Sequence, residues 1–391
     1  MKDKMTSPVA FRISKIAFSL LSLVGACAIT SGCAGAPAAA TTATTTPPAT
    51  SPTPTPPAPT PAGQPSVAYN PNTNFYYLAD GLAGTVSVIN GSSNVVTDTI
   101  FLASASSDVF GITVNPTTNL IYVVSKLTAT MTVINGATNQ ISESIASTVA
   151  SPIAVAVNST TNQVYVLGDA ATTLNVFDGA SNAPVTSIAL PGTAFGLAVN
   201  SKANLIFVTD VVTSGGDTNG SLTLIDGTTN TVTQTLPDFA SPTGVAVNEA
   251  TNTVYVTNST EPVITIVEPS QTSSGTTWAL AGWINIGTTA DATSIAVNSV
   301  TNTVYVASEP GNLVSVINGA SNTFASTIAL SESPTALATN DTANLVYIAG
   351  STTNSSDVAS TSLSVINGVT NTVSPTVAAP LTSVAQTITK Q

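Results

Sequence analysis

One short pattern recurs seven times along this chain, and no other feature limits its fold as tightly. A clear copy reads VAVNSTTNQVYV from Val155 to Val166, followed by a loop, the string LNVFDGASN and a further extended run. The asparagine closing the first run marks every copy, at Asn70, Asn115, Asn158, Asn200, Asn248, Asn298 and Asn340. Successive markers lie 42 to 50 residues apart.

Each copy contains four runs rich in Val, Ile, Thr and Tyr, separated by Asn, Gly and Pro, with no competing helical period. We name these runs strands A to D. Strand A ends at the marker. Four residues on stands a second asparagine (Asn74, Asn119, Asn162, Asn204, Asn252, Asn302, Asn344). Asx side chains bond nearby backbone and tolerate left-handed geometry, so each pair reads as a turn maker. Strand B carries an aromatic at its centre (Tyr77, Tyr122, Tyr165, Phe207, Tyr255, Tyr305, Tyr347). Strand C ends in Asn-Gly or Asp-Gly in six copies, at Gly91, Gly136, Gly179, Gly227, Gly319 and Gly368. That dipeptide signals a hairpin into strand D.

A lone four-stranded sheet exposes both faces, whereas a ring of such sheets buries each against its neighbours. The expected fold is therefore all-β, a seven-bladed β-propeller with four antiparallel strands per blade, over residues 65–391. The competing architecture, an open β-solenoid, needs shorter repeats and parallel rungs.

The strings VAVNEATNTVYVTNST (Val245 to Thr260) and IAVNSVTNTVYVAS (Ile295 to Ser308) resemble the repeat of the YVTN-family β-propellers. That family occurs in archaeal surface-layer proteins and in bacterial periplasmic or surface proteins. The resemblance covers residues 66 to about 379. It implies a propeller with an extracytoplasmic address and says little of chemistry, because propellers host many functions.

Residues 1–33 fit that address. A basic start (Lys2, Lys4, Arg12, Lys15) leads into the apolar run Ile16 to Ile29, a signal-peptide pattern too short to span a bilayer. Cys27 and Cys33 each follow a string resembling the lipobox at which bacterial lipoproteins are cleaved and acylated. Cys27 matches the strict pattern better, while Cys33 allows a fuller apolar region; ordinary secretory cleavage near Ala38 is the alternative. Residues 34–64 are Pro, Thr and Ala-rich with nothing bulky or charged, a composition that cannot offset chain entropy by burial. They read as a disordered stalk, and its threonines are candidate O-glycan sites.

Composition removes several activities. There is no histidine, no cysteine follows Cys33, and the only arginine lies in the leader. Ser-His-Asp and Cys-His catalysis are thereby excluded, and so is a thiolate metal site. After Cys33, three lysines (Lys126, Lys202, Lys390) face eighteen acids, so nucleic acid is not an expected partner. A carboxylate-only metal site remains open.

In a propeller the B–C and D–A connections share one rim, and the A–B and C–D turns share the other. Eleven acids fall on the first rim: Asp80, Asp108, Asp169, Asp210, Asp217, Asp238, Glu261, Asp291, Glu309, Glu332 and Asp357. The B–C loops of blades four and seven are also long there (Val212 to Ser221; Ser351 to Thr361). Variable loops on a rigid scaffold favour recognition, while such acids also serve plain solubility. The residue five before each marker should set the channel mouth: Pro65, Phe110, Ile153, Phe195, Thr243, Thr293 and Thr335. Phe110 and Phe195 suit either a stacking platform or packing between blades. Asp217 to Gly220 resembles part of a calcium loop without its distal Glu. Residues 380–388 repeat the start of another strand A, which suggests that the tail crosses the seam onto blade one.

The resulting expectation is a non-enzymatic binding or scaffold module, monomeric, displayed on the outer membrane or cell surface, or otherwise periplasmic or secreted. Its partner would be a protein or glycan of the envelope, or a cation, with the membrane touched only through a lipid anchor. No cofactor is expected beyond Ca or Mg. The alternative is a lactonase-like extracytoplasmic hydrolase using carboxylates and a divalent cation. If Cys27 or Cys33 is acylated, the mature protein should enter the detergent phase and carry a diacylglyceryl mass. A soluble product starting near Ala39 would show ordinary cleavage instead.

Overall fold

The computed structural model describes residues 66–81, 83–102, 109–147, 149–214, 217–273, 275–287, 292–353 and 359–378. They form seven sheets of four antiparallel strands, each ordered A-B-C-D in space as in sequence. No helix occurs among the described residues. Strands A pack on one another around the axis. Strand A of blade one (Ser66–Asn70) packs on strand A of blade seven (Ser333–Asn340), which closes the ring. The protein is a seven-bladed β-propeller.

Its core lies between blades. Among the described residues there are seven apolar clusters, and each draws on two adjacent blades. Between blades one and two, Tyr77, Val86, Val88 and Ile100 meet Ile121, Val123 and Ile134. Strands B and C are covered on both faces, so they read as apolar runs without alternation, as in Leu120–Ser125 and Thr130–Asn135. Strands D form the outer wall and are mostly exposed, as in Gln140–Ala146.

The asparagine pairs hold these blades together. Every second asparagine adopts a left-handed φ between 52° and 58°. The marker's Oδ1 accepts N–H groups of its own turn, as Asn158 does from Thr160 at 3.0 Å. Its Nδ2 reaches the next blade and donates to the Oδ1 of the second asparagine there. Six such bonds of 2.7–3.0 Å link blade to blade, from Asn70→Asn119 to Asn298→Asn344. Beside them, the N–H groups of Ser201 and Ser299 donate to Glu249 (2.7 Å) and Asp341 (2.8 Å) of the following blades.

The Asn-Gly hairpins form, but for a different reason than a two-residue turn would supply. Each loop has four residues, so that Asn90 pairs with Val95. The left-handed residue is the closing asparagine (Asn94, Asn139, Asn182, Asn230, Asn322, Asn371), and the glycine itself has no positive φ. Glycine is required by proximity. Its N–H donates to the carbonyl of the second asparagine, as Gly227 does to Asn204 at 2.9 Å. A Cβ on Gly227 would fall on the Asn204 side chain. The turns on this rim thus interlock within six of the blades as well as between blades.

Strand B tyrosines add a third tie. The hydroxyls of Tyr77 and Tyr255 donate to Asn139 (2.8 Å) and Asn322 (2.9 Å), and Tyr122 donates to the Gly179 carbonyl (3.2 Å), each in the next blade's C–D turn. Burial pushes the Tyr122 and Tyr255 hydroxyls up to about 12, so they stay neutral donors.

The seam between blades seven and one departs from this scheme. Asn340 donates to the Tyr76 hydroxyl at 3.3 Å instead of to Asn74, whose Oδ1 accepts from Tyr69 at 3.2 Å. Tyr76 stacks between Tyr69 and Tyr347. The tail at 380–388 lies outside the described residues. Blades one and seven each already hold four strands of their own.

Gly227→Ala is expected to lower the melting temperature by several degrees, the effect of about 1–3 kcal/mol in a domain of this size. Asn204→Gly alone removes the acceptor of the Asn158 amide and is also expected to destabilise, but combined with Gly227→Ala it should cost less than the sum of the two single losses, because the obstructing side chain is gone. Additive losses in a thermal-melt cycle would show that the two residues do not interlock.

Candidate binding rim and channel mouth

The rim bearing the B–C hairpins and D–A connections is built differently. In blades two to seven, strand A slips register against strand B near its start, around Phe110, Ile153, Phe195, Thr243, Thr293 and Thr335. A bulge frees one residue from the ladder and turns its side chain aside. These six residues, with Ser66 and Val67 of blade one, line a central cavity of 330 Å³. Pro65 lies outside the described residues.

The mouth has two unlike halves. Blades two to four contribute Phe110, Ile153 and Phe195, and blades five to seven contribute three threonines. Two of those hydroxyls are engaged within the wall: Thr243 donates to the Ala292 carbonyl at 3.0 Å and Thr335 to that of Ala349 at 3.1 Å. On the apolar side, Lys126 lies 5.0 Å from the Phe110 ring centroid, and its Nζ is 2.8 Å from Asp169 Oδ2. Asp169 also lines the cavity.

Two hairpins rise above this mouth. Strands B and C of blade four run to ten residues each (Leu205–Ser214, Asp217–Asp226), and those of blade seven to nine (Leu345–Thr353, Ala359–Asn367). Most other blades use six, as in Leu120–Ser125. At roughly 3.3 Å per residue, the blade-four hairpin stands about 13 Å taller. On the opposite rim, among the described residues, only blade five is extended. It lacks the Asn-Gly pair, and its hairpin Val263–Thr272 with Gly275–Asn285 borders a groove of 770 Å³ against blade four. Gln234 binds the Trp278 backbone there through both side-chain atoms, at 2.7 and 3.0 Å.

The acids assigned to the rim separate into groups. Asp169, Glu261 and Glu309 are part-exposed at the starts of B–C loops, and Asp238 is exposed in a left-handed conformation. Asp80, Asp210 and Glu332 are buried, so they do not present charge to a partner. Asp80 accepts the Ala83 N–H at 3.0 Å, and Glu332 accepts the Ser331 hydroxyl at 2.8 Å. Asp108, Asp291 and Asp357, and the Asp217 side chain, lie outside the described parts. Among the described residues no three of His, Cys, Asp and Glu gather to hold a metal.

No protein-family model matches the chain, and no curated protein does. Likeness appears among solved structures. A chain of Kuenenia stuttgartiensis hydrazine synthase has a TM-score of 0.60 at 12% identity, covering 78% of this chain and 96% of that one. The Cps50 (Swd1) β-propeller domain of Myceliophteria thermophila has a TM-score of 0.60 at 10% identity, covering 74% and 95%. At such identities the shared property is the propeller fold.

Asp210 illustrates what is particular to this chain. It stands sixth in its long strand B, the position at which Asp80, Ser125, Asn258 and Ser308, all buried, end the six-residue strands of other blades. Its carboxyl accepts the Ser221 hydroxyl across the hairpin. Burial raises its pKa, opposed by hydrogen bonds from Ser221 and Thr223. The folded state therefore holds this proton more tightly than the unfolded chain, whose carboxyl titrates near about 3.9. Stability from this group is complete below that value and declines as pH rises through the higher folded pKa. Asp210→Asn should thus gain melting temperature relative to the parent as pH climbs from 4 to 7. A constant difference across that range would show that Asp210 is ionised in the fold.

Proposed function

We propose that this chain is an exported propeller of the YVTN type, serving as a binding or scaffold module for a protein or glycan of the cell envelope. An acylated Cys27 or Cys33 would anchor it, and residues 34–64 would hold the propeller off the membrane. The partner meets the rim of B–C hairpins and D–A connections.

One observation carries this reading, the contrast between the rims. On the A–B and C–D rim, side chains that could bind a ligand are spent on bonds between blades. On the other rim stand the open cavity, the part-exposed acids and the unequal hairpins. A rigid ring with a variable rim suits recognition better than it suits turnover.

Shortening the B–C hairpins of blades four and seven to the length found in blade two should abolish retention of envelope proteins or glycans from extract, with melting unchanged. Substituting exposed C–D turn residues such as Ser92 and Ser321 by Lys should leave retention intact. The opposite pattern would place recognition on the other rim.

A further inference from the structure

We propose that the channel mouth binds a small organic ammonium ion, and that Lys126 stands in that ion's place in the free protein. The inference deepens the binding role proposed for this rim by naming a ligand class. A carboxylate paired with the face of an aromatic ring is the combination that recognises ammonium groups. The structure holds both, Asp169 and Phe110, in the wall of one cavity. An ammonium already sits on them: Lys126 Nζ is 2.8 Å from Asp169 Oδ2 and 5.0 Å from the Phe110 centroid.

Lys126 is not itself part of the cavity wall; it reaches over from the B–C loop of blade two. Its side chain and that of Asp169 retain 20% and 32% exposure, and an ion pair this open to water is readily exchanged. Three further features favour a cation with an apolar body. Phe195 and Ile153 extend the apolar half of the wall. Thr243 and Thr335 spend their hydroxyls on backbone carbonyls, which leaves little for a sugar to bond. The excess of acids over lysines after Cys33 draws cations toward the rim and repels anions. A cavity of 330 Å³ takes one headgroup and leaves a folded partner outside.

The test is calorimetric titration of the full-length protein at low salt with choline and with the amide of Nα-acetyl-Nε-trimethyllysine, which separates a free headgroup from a modified side chain. Binding of either probe, tightened about tenfold in Lys126→Met and weakened about tenfold in Asp169→Asn and Phe110→Leu, supports the proposal. The neutral isostere 3,3-dimethylbutanol should not bind. Equal binding of that alcohol, or no binding of either cation by both parent and Lys126→Met, overturns it. Hairpin trimming tests the broader rim reading separately: trimmed protein that loses its envelope partner while no variant binds a cation would sink this inference alone.

Discussion

The ring depends on a buried amide at the end of each inner strand. Asn70, Asn115, Asn158, Asn200, Asn248 and Asn298 are wholly buried, and each uses its oxygen within its own turn and its nitrogen on the neighbouring blade. A buried amide that lost either partner would cost more than the bond contributes, so the arrangement specifies spacing as well as adding stability. With no disulfide in the body, apolar contact between blades supplies the bulk of the cohesion. The amides decide how the blades are set against each other.

That division of labour separates the two rims. Where the amides, the glycine contacts and the tyrosine hydroxyls converge, substitution is costly, and the turns stay alike in every blade but the fifth. At the other end of strand A in blades two to seven, a register slip ends the regularity and frees one side chain per blade to differ. The same ring can therefore carry Phe110 and Phe195 on one side and Thr243, Thr293 and Thr335 on the other without disturbing its frame.

The sequence revealed those parts that recur. Marker asparagines, their left-handed partners and the strand B aromatics appear seven times in register, and together they define blades, strand order and both rims. The channel-mouth positions followed from counting back from each marker, although the bulges that turn them inward leave no period to read. Single events were harder. Nothing local distinguishes buried Asp210 from exposed Asp238, because burial there depends on hairpin partners such as Ser221. Lys126 and Asp169 sit in loops of different blades, and only the packing of blade two on blade three brings them together. The glycines of the Asn-Gly pairs were legible as hairpins, yet the contact that demands them comes from another turn.

The Asn340–Tyr76 bond joins residues 264 apart, whereas the other belt links join residues 46 to 54 apart. Loop entropy rises only slowly with length, so the long link costs little more at equilibrium than the short ones. Kinetically the difference is large, because contacts distant in sequence form late. Six joints can assemble in order as a chain is synthesised, while the last must wait for blade seven. Until then Tyr69 and Tyr76 have no covering blade, and the nascent propeller presents an aromatic flank to its surroundings. The seam makes folding a matter of timing, favouring a chain whose first flank stays shielded until its final blade is complete.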